Sequence, residues 1–290
     1  MSPETDQPAD SGAKTGTDKT WDQFNRLKRS FPALIADTAA CVRFFSRLPL
    51  EKVNVQDDPA AVPDFEKISR AAPIAGVTVA LPAAGLGMLL GYTALPVLAI
   101  AALIAAMLAV TTGALHEDGL SDVADGFFGG STRQKRLDIM KDSRIGAFGA
   151  LALVLSVILR IALLAALWQR FDPADAALLF LGGEAASRAF IVWQWQQRPL
   201  ARPDGLAARL GKPDKNCVRQ AFLFTAPFLL PAVFLLTLPG LLLACLIPAA
   251  LAFGIGHLAN QKIGGVSGDV LGAIQQICAL GFLLGMLMVP

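Results

Sequence analysis

The run His116-Glu117-Asp118-Gly119-Leu120-Ser121-Asp122-Val123-Ala124-Asp125-Gly126 carries the strongest chemical signal in this chain. Asp118, Asp122 and Asp125 stand at i, i+4 and i+7, so a helix would set their carboxylates on one face about one turn apart. Like charges so placed repel, and a divalent cation relieves the repulsion. Mg²⁺ accepts hard oxygen ligands from only a few carboxylates when substrate phosphates complete its shell. A solvated acidic face is the ordinary alternative, but this run abuts an apolar stretch and contains no compensating base.

Two further segments extend the pattern. After Gly129-Gly130 come Arg133, Lys135, Arg136, Asp138, Lys141, Asp142 and Arg144. Asp138 and Asp142 are again four apart and would add ligands on one face of a second helix. Lys141 and Arg144 supply the fixed positive charge that phosphoryl oxygens need, whereas Arg133, Lys135 and Arg136 read as bases that set membrane topology. The stretch Lys262-Ile263-Gly264-Gly265-Val266-Ser267-Gly268-Asp269 is a glycine-rich turn opening the last apolar helix. Gly264 and Gly265 would let backbone approach a phosphate, and Asp269 would cap that helix or hold a metal ion. It is not a Walker A loop, because Lys262 precedes the glycines. Glu184 and Arg188, at i and i+4 inside an apolar segment, read first as a mutual ion pair and second as Arg188 reaching a substrate phosphate. His116 reads as a hydrogen-bonding member of the acidic segment and His257 as a membrane-boundary residue. Trp168, Trp193 and Trp195 fit an aromatic belt.

These residues must be positioned by membrane helices. Of 290 residues 54% are apolar and only 17% charged, and mean hydropathy is +0.53, so most of the chain belongs in lipid. The 25 basic against 23 acidic residues leave a net charge of +2, which speaks against nucleic-acid binding. Cys41, Cys217, Cys245 and Cys278 form no CxxC pair and cannot make a zinc set with two histidines. About seven windows are long and apolar enough to span a bilayer: 71–94, 95–115, 148–168, 174–195, 221–238, 240–256 and 270–289. The fold class is therefore all-α and polytopic. Residues 1–20 read as a disordered tail and 21–290 as one membrane-embedded domain, with an amphipathic helix over 21–48 that either lies on the membrane or packs on the core. The connections 115–147 and 196–220 hold most of the loop bases, so the positive-inside rule puts the polar loops in the cytoplasm.

Several acids, a few bases and a glycine turn on one face of a polytopic protein point to metal-assisted phosphoryl or nucleotidyl transfer. The runs HEDGLSDVADGFFGG, IMKDSRIGAFGALALVL and GGVSGDVLGA together resemble the adenosylcobinamide-GDP ribazoletransferase family, also called cobalamin synthase. The resemblance extends from FFSRLPL to near the C-terminus. It implies a Mg²⁺-dependent enzyme of the bacterial inner membrane that joins adenosylcobinamide-GDP to α-ribazole, or its 5′-phosphate, and releases GMP in late cobalamin biosynthesis. It places the family's acidic motif at Asp118, Asp122 and Asp125, its MKDSR motif at Asp142 and Arg144, and its GGxxGD motif at Gly264, Gly265 and Asp269. The mechanism expected on these positions puts Mg²⁺ on Asp118, Asp122 and Asp125, a proton acceptor at Asp125 or Asp142, and phosphate-stabilising charge at Arg144 and Arg188. The lipid bilayer and the two small-molecule substrates are the implied partners; a homo-oligomer is left open. The alternatives are a CDP-alcohol phosphotransferase-like lipid enzyme, whose motif is only partly echoed by Asp122-x2-Asp125-Gly126, and a cation-coupled transporter using Glu184 and Arg188.

Overall fold

A computed structural model describes residues 16–289, and every element named in it is helical. The elements are α1 (Gly16–Phe45), α2 (Phe65–Ile68), α3 (Ala72–Gly91), α4 (Val97–Thr112), α5 (Leu115–Gly129), α6 (Arg133–Ile139), α7 (Ala147–Arg170), α8 (Pro173–Gln197), α9 (Leu206–Arg209), α10 (Lys215–Leu235), α11 (Leu238–Ile263) and α12 (Gly268–Leu287), with a 3₁₀ turn at Ser69–Ala71. Among the described residues six helices can cross a membrane by length and composition, and the count reaches seven with the bent pair α4 and α5. The expected polytopic all-α architecture is thus the observed one. α8 and α12 form its centre, each with 83% of its apolar window buried, while α7, α10 and α11 stand around them with most of their surface open to lipid.

Helix boundaries follow local chemistry. α1 already begins at Gly16, so the last five residues of the expected tail are helical; residues 1–15 lie outside the described residues. Its C-terminal half packs on the core through Cys41, Val42 and Phe45, as the core-packing expectation has it, while Phe31 and Ile35 are exposed. The break between α10 and α11 falls at Leu236–Thr237, ahead of the expected Leu238-Pro239-Gly240, because proline is tolerated in a helix's first turn, where no amide partner is lost. α4 and α5 meet at 90°. Gly113 and Ala114, with φ of 63° and 56°, make that corner in the left-handed region, and the Arg47 amide donates to Thr111 O at 2.8 Å beside it. α5 carries four carboxylates in 15 residues and is not among the six helices that pass as spans by themselves.

The centre is pinned by a buried polar network. Glu184 on α8 pairs with Arg188 on the same helix and with Arg160 of α7 at 3.5 Å. From α12, Gln275 donates to Glu184 and to Ser187 at 3.3 and 3.1 Å, and Gln276 accepts from Arg160 at 2.6 Å. All six side chains are buried. Charges in an apolar interior persist only when paired and hydrogen-bonded, so this network fixes the rotation of three helices about one point. Trp168 and Trp195 are also interior, the former donating to Gly87 O at 2.9 Å, which corrects the expected aromatic belt at these two positions: close packing of large side chains outweighs the interfacial preference. Glu184→Leu should cost about 3–5 kcal/mol by leaving two guanidinium groups unpaired, and Glu184→Leu with Arg188→Leu should recover much of it. Thermal unfolding in detergent reads both; equal melting points for Glu184→Leu and the unmodified protein would refute the network's role.

Candidate active site

α5 is helical throughout the acidic run, so Asp118, Asp122 and Asp125 do share a face as their spacing requires. That face meets the start of α12. At the crossing stands Gly119, where an added Cβ would lie 2.7 Å from Asp269 O, so the two backbones touch with no side chain between them. The approach brings Asp269 towards Asp118 and Asp122: the charges of Asp118, Asp269 and Asp125 all act on Asp122. Half-buried among them, Asp122 has its carboxyl pushed up to about 7, first by desolvation and then by those neighbours. Asp118 is exposed at the edge of the group.

Asp125 is placed differently. Buried at 8% exposure, it accepts from the amides of Gly146 (2.7 Å) and Gly149 (2.8 Å), so it anchors the N-terminus of α7, where free amides and the helix dipole favour an anion. Asp142 does not extend a second acidic helix face, because α6 ends at Ile139 and Asp142 sits in the following turn. There it is bonded through two oxygens to Arg144, whose side chain is 87% exposed. The Arg144 guanidinium holds the Asp142 carboxyl down at about 2. Arg188 is not drawn towards this group; it is fully buried and engaged by Glu184, as the ion-pair reading holds.

The glycine-rich turn is a joint between loops. Gly264 ends α11 in the left-handed region (φ 80°), and Gly265 (φ 152°) lies so close to Pro199 O that any Cβ there would collide. Val266 N then donates to Pro199 O at 2.8 Å and Ala201 N to Val266 O at 2.9 Å. Ser267, rather than Asp269, caps α12, accepting from Val270 N, and its hydroxyl donates to Asp269 at 3.2 Å. Arg133 donates to Ile263 O and Ala201 O at 2.8 and 3.0 Å, and Arg136 to Lys262 O at 3.2 Å. These bases therefore do more than set topology: they close the C-terminal carbonyls of α11, where cations are favoured. The structure thus assembles Asp118, Asp122, Asp269 and the turn at Gly264 and Gly265, with Asp125 beneath and the Asp142–Arg144 pair on a loop that Asp125 holds. Beside the acidic group opens a cavity of about 640 Å³, its mouth included, with Asp118, Leu206 and Gly268 at the rim and His116, Phe45 and Trp195 on the floor. His116, expected to hydrogen-bond within the acidic segment, stacks on Phe45 at 5.8 Å and has no hydrogen-bond partner.

Among the described residues no three His, Cys, Asp or Glu side chains form a ready-made metal cage. The donors are nevertheless hard oxygens, and among the described residues Asp118 and Asp122 make no ion pair. That suits an ion needing one or two carboxylates plus substrate phosphate and water. Sequence reasoning missed Arg160, although a lone arginine within the apolar window 148–168 was the available signal, and missed Gln275 and Gln276 beside it.

Helical membrane architecture and an acidic cluster over an open cavity define the class as a polytopic membrane enzyme with an oxygen-lined site. The sequence model of the cobalamin-5-phosphate synthase family matches residues 37–287. Curated relatives named adenosylcobinamide-GDP ribazoletransferase include those of Allorhizobium ampelinum (42% identical, covering 86% of this chain and 95% of theirs), Azorhizobium caulinodans (41%; 88% and 96%) and Brucella anthropi (43%; 88% and 98%). The chain belongs to the cobalamin-5-phosphate synthase family. No solved structure matches it. Neither the lipid-enzyme nor the transporter alternative is favoured, and the Glu184–Arg188 pair a transporter would use is satisfied internally.

Gly119→Ala should push α5 from α12 and lower turnover by roughly tenfold to a hundredfold at a cost of about 1–3 kcal/mol in stability. Gly129→Ala, whose Cβ would meet only Ile139 at 3.7 Å, is the control and should change neither. Unaltered turnover in Gly119→Ala would contradict the crossing as the determinant of the site.

Proposed function

We propose that this chain joins adenosylcobinamide-GDP to α-ribazole, or its 5′-phosphate, releasing GMP and giving adenosylcobalamin or its 5′-phosphate. The observation that carries the reading is the convergence of Asp118, Asp122 and Asp269 beside an open cavity, in a chain of this family. The bond formed runs from a ribose hydroxyl oxygen to the cobinamide-side phosphorus, the bond broken is the diphosphate bridge, and GMP leaves in line. Asp118 and Asp122 would hold a Mg²⁺ ion, which would supply charge neutralisation to the diphosphate, while Asp125 fixes their helix by clamping the start of α7. The hydroxyl proton passes to a carboxylate oxygen of the cluster. Asp125 and Asp142 support the reaction chiefly through what they hold. Asp125 fixes the loop amides at Gly146 and Gly149, and Asp142 orients Arg144, whose exposed guanidinium can swing onto the leaving phosphate. Arg188 acts at a distance, as part of the buried network. The Gly264–Gly265 turn and the first turn of α12 border the phosphate position.

The site faces the cytoplasm of an inner-membrane protein in this reading, since the loops that build it carry Arg133, Lys135, Arg136, Arg144 and Arg202. Both substrates are then delivered from the compartment that holds nucleotides. Purified protein in detergent should release GMP from adenosylcobinamide-GDP only when α-ribazole and a divalent cation are both present, and chelation should abolish release. Asp122→Asn should lower turnover at least about a hundredfold, and Arg144→Ala about tenfold or more. GMP release without ribazole, or full activity in Asp122→Asn, would overturn the reading.

A further inference from the structure

The cavity beside the acidic group has an unusual floor. Trp195 and His116 are 3% and 2% exposed, yet among the described residues Trp195 Nε1 and both His116 ring nitrogens have no hydrogen-bond partner. Buried Trp and His ordinarily find one, because a desolvated donor or acceptor left unpaired is costly. Around them the lining is apolar and aromatic: Phe44, Phe45, Ile191 and Leu271. Asp118 and Asp269 line the same cavity, at the end nearest the reacting centre.

Resting on the function proposed above, we infer that this cavity is the base subsite for ribazole and takes the flat substituted benzimidazole, leaving the attached ribose at the acidic rim. The chemistry of the floor discriminates between the two bases the reaction brings. A ribosylated benzimidazole carries an apolar carbocycle and a single ring-nitrogen acceptor, with no N–H of its own. Among the lining residues the unpaired polar atoms include donors suited to that acceptor, Trp195 Nε1, which can only donate, and the ring N–H of a neutral His116, and the phenyl groups suit the carbocycle. Guanine instead presents N–H donors along the same edge as its carbonyl oxygen. Against this floor most of them would be desolvated without acceptors. Seating the base on Trp195 also directs the sugar outwards, so a ribose hydroxyl stands beside Asp118 and Asp269, where attack on the phosphorus is required. His116 and Trp195 are therefore substrate-binding residues on the acceptor side, separate from the phosphate side at Arg144 and the glycine turn.

Direct binding to full-length protein in detergent tests this. Ribazole is titrated calorimetrically, with 5,6-dimethylbenzimidazole and guanosine as competitors, and adenosylcobinamide-GDP binding is measured separately. Trp195→Phe and His116→Phe keep ring volume but remove the polar edge, and Ala207→Met, on the short helix α9 in the cavity wall, fills the space without touching either group. Each variant should raise the ribazole Kd about tenfold or more while the adenosylcobinamide-GDP Kd stays within about twofold, which also certifies the fold. The free benzimidazole should compete and guanosine should not. Ribazole Kd values unchanged in Trp195→Phe and Ala207→Met, or displacement by guanosine instead of the benzimidazole, would overturn the assignment. If the unmodified protein binds ribazole and turns over but the variants match it, this subsite alone fails. If the unmodified protein neither binds ribazole nor releases GMP, the proposed function fails.

Discussion

Two helices pressed together at a glycine force negative charges into one place. With no side chain at position 119, α5 lies against the backbone of Asp269, so Asp118 and Asp122 cannot relax away from the carboxylate at the start of α12. For a pair one turn apart the repulsion ranges from a few tenths of a kcal/mol in water to about 3 kcal/mol at an effective dielectric near 20. The fold sustains that cost at the one surface where a diphosphate and its counterion would remove it. This is the pattern expected of a site whose electrostatics are arranged before the substrate arrives.

What holds the crossing in place lies deeper. Arg160, Glu184, Arg188, Gln275 and Gln276 lock α7, α8 and α12 together through hydrogen bonds that an apolar interior makes expensive to break. Asp125 connects this scaffold to the surface by clamping the N-terminus of α7, which also fixes the loop that ends in Arg144. Arg133 and Arg136 do the same for the end of α11. The start of α7 and the end of α11 are thus each held by charged groups opposite in sign to the partial charge of that terminus.

Much of this was legible in the sequence, and the exceptions share a cause. Apolar windows gave the spans, and the i, i+4, i+7 spacing gave the acidic face of α5, because both are properties of a single helix. The nearness of Asp269 to Asp122 comes from two helices 147 residues apart meeting at Gly119, which no local period encodes. The 90° corner at Gly113–Ala114 depends on a left-handed alanine, a conformation that composition does not announce. The spacing of Asp142 from Asp138 suits a helix face, whereas the chain turns after Ile139 and pairs Asp142 with Arg144. Trp168 and Trp195 stand near span ends, where tryptophan is usually interfacial, and only packing shows them inside.

If the crowded carboxylates await a divalent cation, thermal unfolding of the substrate-free protein must respond to Mg²⁺ concentration. Mg²⁺ should raise the melting temperature of the unmodified protein. Asp122→Asn should be more stable than the unmodified protein without the ion and gain little when Mg²⁺ is added. A melting temperature indifferent to Mg²⁺, together with a destabilised Asp122→Asn, would contradict a cation-binding role for these carboxylates.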